Sequence, residues 1–110
     1  MNILIVHHDP AVLHNLGCLL LEVGHRPSTA VGHMPAIRTI DAGNVDLVMC
    51  GHEGDGQVSG LDLAKVVAER RPGLAVIIMT DQPVEPPLPS HVRVLPYPLT
   101  PEEIRSVAAV

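Results

Sequence analysis

A chain of 110 residues with 46% hydrophobic and 17% charged content has the size of one domain and the apolar material for a core, which excludes a disordered segment. A formal net charge of −5, with Arg70 and Arg71 as the only adjacent basic pair, excludes a nucleic-acid surface, which needs clustered cations to displace phosphate counterions. No apolar run reaches the roughly 20 residues that span a bilayer, the start lacks a signal peptide's basic segment, and Cys18 and Cys50 form no C-x-x-C pattern, so a cytoplasmic protein is expected.

The first element is Ile3 to Val6, continuously apolar rather than alternating, and so predicted as a strand buried on both faces. Asp9-Pro10 then opens a helix, with an acceptor side chain at the N-cap and proline at the first helical position. Val12, Leu13, Leu16, Leu19, Leu20 and Val23 continue it at helical spacing until Gly24, and Cys18 is expected in the core beside Leu19 and Leu20. Arg26 to Val31 is a weaker strand. Met34 to Ala42 predicts a helix with Met34, Ile37 and Ile40 on its apolar face, ended by Gly43. Val45 to Cys50 is a second buried strand, with Cys50 as a small core residue, and the glycine-rich stretch from Gly51 to Gly60 is a loop.

Ser59-Gly-Leu-Asp62 has the form of a capping box with Asp in place of Glu. It opens a helix through Leu61, Leu63, Ala64, Val66 and Val67 to Arg71, stopped by Pro72-Gly73. Leu74 to Met79 and Val92 to Leu95 are the last strands, and Thr100-Pro-Glu-Glu103 caps a final helix. Strands alternating with helices imply a parallel sheet covered on both faces. The alternation breaks at DQPVEPPLPSH, where Pro83, Pro86, Pro87 and Pro89 would each cost a helix about 3 kcal/mol. One helix, the fourth, is therefore expected to be lost or reduced. PVEPPLP is read as a stiff surface loop, with a polyproline segment docking on a partner as the competing reading.

In this order, NILIVHHDPAVLHNLGCLLLEVGH, VDLVMCG, SGLDLAKVVAERRPGLAVIIMT and VRVLPYPLTPEEI resemble the response-regulator receiver domain, the CheY-like phosphoacceptor module of two-component signalling. The resemblance covers essentially the whole chain as one domain, 1–110. It implies an α/β flavodoxin-like fold: a single doubly wound, five-stranded parallel sheet in the order 2-1-3-4-5, with the site beyond the carboxyl ends of the strands. It also implies the site's parts. An acidic pair after the first strand holds Mg²⁺, an aspartate after the third takes the phosphoryl group, and a hydroxyl after the fourth and a lysine after the fifth bind it.

Here the acidic pair falls on His7 and His8, the acceptor on Gly51, the hydroxyl on Thr80, the lysine on Tyr97, and the aromatic switch residue on Val94. Glycine offers nothing to phosphorylate, and imidazoles are poor ligands for a cation that wants octahedral oxygen. Mg²⁺ is therefore not expected, and Asp55 in the glycine-rich loop is a poor substitute acceptor. Tyr97 is neutral near pH 7 and cannot pair with phosphate as an ammonium does.

The resulting expectation is an atypical, phosphorylation-independent receiver domain of bacterial signal transduction, not an enzyme. It would act as a protein–protein interaction module for a kinase, an output protein or another regulator, or as a homodimer, with no direct contact to nucleic acid or membrane. The alternative is a metal- or ligand-sensing domain. His7, His8 and His52 would gather at one end of the sheet, where a transition metal is the one cofactor left open. Against it, adjacent residues leaving a strand point opposite ways, so His7 and His8 are expected to diverge and to hydrogen-bond separately. A pH-responsive pocket is a third reading. His14, His25, His33 and His91 are expected at the surface or in turns.

Overall fold

In the computed structural model, residues 2–51, 60–80 and 92–95 are described. The strands are β1 (Asn2–Val6), β2 (Arg26–Ala30), β3 (Leu47–Gly51), β4 (Ala75–Met79) and β5 (Val92–Leu95). The helices among the described residues are α1 (Pro10–Glu22), α2 (His33–Asp41) and α3 (Gly60–Arg70). All five strands are parallel, in the order β2-β1-β3-β4-β5, so the doubly wound sheet and its strand order are as expected. The expected loss of the fourth helix, residues 52–59 of the expected Gly51 to Gly60 loop with Asp55 and Ser59, and the expected final helix at Thr100 all lie outside the described residues.

Two-residue alternation divides the core. Ile3 and Ile5 of β1, Leu47 and Met49 of β3, and Ile77 and Met79 of β4 pack on one face against Leu13, Leu16 and Leu20 of α1. Leu4 and Val6, Val48 and Cys50, and Val76 and Ile78 pack on the other face against Ala36 and Ile40 of α2 and Leu63, Ala64 and Val67 of α3. Both faces are dry, which is why these strands read as unbroken apolar runs. Each fully buried Leu or Ile contributes about 1.5–3 kcal/mol. Among the described residues, aliphatic side chains therefore supply most of the burial that holds the sheet.

The register is pinned at the foot of the sheet. The Asn2 backbone N–H donates to Asp46 Oδ2 at 2.8 Å, and the Asp46 N–H returns a bond to the Asn2 carbonyl at 2.8 Å. On the α2–α3 side, Arg70 pairs with Asp41 at 2.7 Å, and Arg71 donates to the Ile40 carbonyl at 3.3 Å. β2 forms one edge of the sheet; Pro27, which lacks an N–H, is tolerated there because one side of the strand needs no ladder partner.

Several sequence expectations are corrected. Met34 is 63% exposed, because α2 turns Ala36 and Ile40 inward and starts one residue earlier, at His33. Cys18 is exposed, not in the core; the buried positions of α1 are Leu13, Leu16, Gly17 and Leu20, and Cys18 falls on the opposite side of the helix. His25 is buried rather than superficial. It follows Gly24, whose φ of +90° turns the chain back toward the sheet, and its N–H donates to the Leu20 carbonyl at 3.0 Å.

Candidate functional site at the carboxyl end of the sheet

The carboxyl ends of β1, β3 and β4 bring together His7, His8, Gly51 and Thr80. His7 is the first residue past β1, and its N–H still bonds the Ala30 carbonyl of β2 at 3.2 Å. Counting the register onward explains what it meets. Ile3 pairs with Leu47 and Ile5 with Met49, so position 7 stands beside position 51 on the α1 face. Two side chains cannot both occupy that spot. A Cβ on Gly51 would lie 2.9 Å from His7 Cδ2 and 3.2 Å from His7 Nε2. Gly51 thus leaves to the His7 ring the space that a side chain at position 51 would need.

The ring is fixed from two further directions. The Asp9 backbone N–H donates to His7 Nδ1 at 3.0 Å. Asp9 Oδ1 in turn accepts the Ala11 N–H at 2.9 Å, which is the expected N-cap of α1. The His8 ring stacks on His7, with centroids 4.5 Å apart and planes 21° from parallel. The expected divergence of the two histidines is therefore corrected: β1 ends at Val6, His8 lies in a bend, and strand alternation no longer governs it.

These contacts set the protonation state. An Nδ1 that accepts an N–H carries a lone pair, so the neutral ring has its proton on Nε2, facing Gly51. Burial lowers the His7 pKa below 6.5, the His8 charge lowers it further, and Asp9 opposes this by raising it. His7 is consequently a neutral Nε2–H donor near pH 7.

The donor set does not suit Mg²⁺, which seeks hard oxygen ligands in octahedral geometry. The residues at the acidic-pair positions offer imidazole nitrogens, and the Asp9 carboxylate caps a helix. A transition metal on His7 Nε2 would have to displace the proton that the Nδ1 contact places there, and stacked rings do not converge on one point. Among the described residues, no group of three or more His, Cys, Asp or Glu side chains is arranged to hold a metal. His52, proposed with them, and Tyr97 at the lysine position lie outside the described residues.

Thr80 directly follows β4, whose Met79 pairs with Gly51, and is half-buried. Val94, at the switch position, pairs with Ile78 and is partly buried against the aliphatic cluster of the α2–α3 face. Cys50 faces that cluster, and burial pushes its thiol up to about 12, far from a reactive thiolate. The sequence named the residues of this pocket but missed that Gly51 and His7 are complementary in size. Counting two-residue steps from Ile3 and Leu47 would have found it.

No family model matches the sequence, and no curated protein matches it significantly. Solved structures do match its shape. A signal receiver domain of an HD-domain-containing protein from Pseudomonas fluorescens is 21% identical with a TM-score of 0.84, over 98% of this chain and 90% of its own. The receiver domain of the hybrid histidine kinase CckA is 20% identical with a TM-score of 0.84, over 99% and 96%. The chemotaxis protein CheY4 of Vibrio cholerae is 14% identical with a TM-score of 0.83, over 98% and 95%. The chain has the receiver-domain fold.

Proposed function

We propose that this chain is a receiver-type signalling module that works without phosphorylation, through protein–protein contacts made in one fixed conformation. The observation that carries this reading is the His7 ring lying where a Gly51 Cβ would be 2.9 Å away. The position that the resemblance gives to the phosphoacceptor has no side chain and no room for one. The positions it gives to the Mg²⁺ ligands carry a stacked pair of imidazoles. A domain built this way is not a phosphotransfer catalyst.

A phosphorylated receiver shifts between two states because a new charge biases a bistable element. In this chain the trigger is replaced by a neutral ring already hydrogen-bonded to the Asp9 backbone. With no event at the pocket to shift a population, the surface presented to a kinase, an output protein or another regulator is constitutive. The relevant comparison is the receiver domain of the hybrid histidine kinase CckA.

Incubation with a small acyl phosphate and Mg²⁺, followed by intact mass spectrometry, tests the reading. The expected mass is unchanged. Gain of one phosphoryl group, mapped to any carboxylate of the chain, would refute it.

A further inference from the structure

The solvent face of α1 carries a feature unrelated to the pocket. Ala11, His14, Cys18 and Leu21 are all exposed and follow one another at intervals of three, four and three residues. That is the spacing of a helix-pairing seam, in which every knob faces a partner helix. Leu21 is 61% exposed and adds an apolar side chain to this face. Along its 13 residues α1 has one charged side chain, Glu22 at its end, and no Lys or Arg.

At the middle of this seam, Cys18 Sγ lies 3.8 Å from His14 Nε2. Spacing of i and i+4 places two ligands on one helix face, as in helical zinc motifs. Zn–S near 2.3 Å and Zn–N near 2.0–2.1 Å at a tetrahedral angle put sulfur and nitrogen about 3.5 Å apart. The observed pair is within a small rotamer adjustment of that distance. It supplies only half of a closed site, because structural zinc takes four protein ligands.

We infer that His14 and Cys18 of two copies, related by a twofold axis across α1, form a Cys₂His₂ site for Zn²⁺ that joins the chain into a dimer. The second copy is the occupant that completes the site: it contributes the missing sulfur and nitrogen, and its own Ala11 and Leu21 meet those of the first along the seam. An isologous contact of this kind closes at two copies. Each thiol releases its proton to solvent as its sulfur binds the metal, so two protons leave per dimer and the site is held by two thiolates and two neutral imidazoles. This inference is independent of the pocket at the sheet's carboxyl end, where the His7 tautomer opposes ligation.

The test uses the full chain stripped with chelator and kept in a phosphine reductant, titrated with Zn²⁺ and followed by sedimentation. The expected result is one Zn²⁺ per two chains and a doubled mass, reversed by chelator. Co²⁺ in place of Zn²⁺ should give thiolate charge-transfer absorption. Cys18→Ser and His14→Ala, both exposed changes that leave the fold intact, should stay monomeric and lose that absorption, whereas Cys50→Ser and His7→Ala should behave as the parent. Metal bound without doubling, doubling that survives Cys18→Ser or chelator, metal binding lost in His7→Ala, or no binding at all would each overturn the inference.

Discussion

The interior of the sheet and its carboxyl end use the same two-residue alternation for different purposes. Inside, the alternation sends Ile3 and Ile5 toward α1 and Leu4 and Val6 toward α2 and α3, and these positions are filled by large aliphatic groups. One step beyond, the same parity sets His7 beside Gly51, and a ring on one strand is matched by a missing side chain on the next. The interior tolerates exchange among aliphatic groups that conserve volume, since any of them fills a dry slot. The end of the sheet works by a pairwise fit, so the glycine and the histidine are meaningful only together. The missing side chain at position 51 is the space that the histidine occupies.

The contrast can be broken most severely from the interior. Leu20→Ala removes a fully buried side chain from the cluster on the α1 face and should cost about 2–5 kcal/mol in denaturant unfolding. At the carboxyl end, Gly51→Asp forces the His7 ring out of place. Overpacking of this kind costs about 1–3 kcal/mol, and His7→Ala in the same chain should recover part of it, with a coupling of about 0.5–3 kcal/mol in a double-mutant cycle. Strict additivity of the two changes would mean that the fit between them is incidental.

Removing the cap is a smaller perturbation. Asp9→Ala loses the Ala11 N–H acceptor and should cost about 1 kcal/mol, read as a lower Tm. Asp41→Ala, which breaks the exposed pair with Arg70, should change stability by less than about 1 kcal/mol, and by less still at high salt.

A pH measurement sharpens the same comparison, because the aliphatic side chains of the two core clusters do not titrate. The folded pKa of His7 lies below its unfolded value of 6.5, chiefly through burial, so below that value the unfolded chain takes up a proton that the folded chain refuses. Stability therefore falls as the pH drops from 6.5 toward the depressed folded pKa, and recovers above 6.5. His7→Asn should flatten this dependence. A His7 titration by NMR with a midpoint at or above 6.5 would contradict the half-buried, neutral ring.

The sequence by itself determined the scaffold. Unbroken apolar runs such as Ile3 to Val6 read as strands buried on both faces, Asp9-Pro10 reads as a helix start, and alternation of the two element types leaves a parallel sheet with few permitted orders. These properties are local or periodic, so they survive in a linear string. What the tertiary structure decided is pairwise and distant: residues 7 and 51 share one volume, His8 stacks on His7 once the strand has ended, and α1 rotates Gly17 inward and Cys18 outward. Cys18 and Leu20 differ by two residues in the string, yet one faces solvent and the other lies in the core. A helix advances about 100° per residue, and only the packed sheet fixes which side of that rotation is the inside.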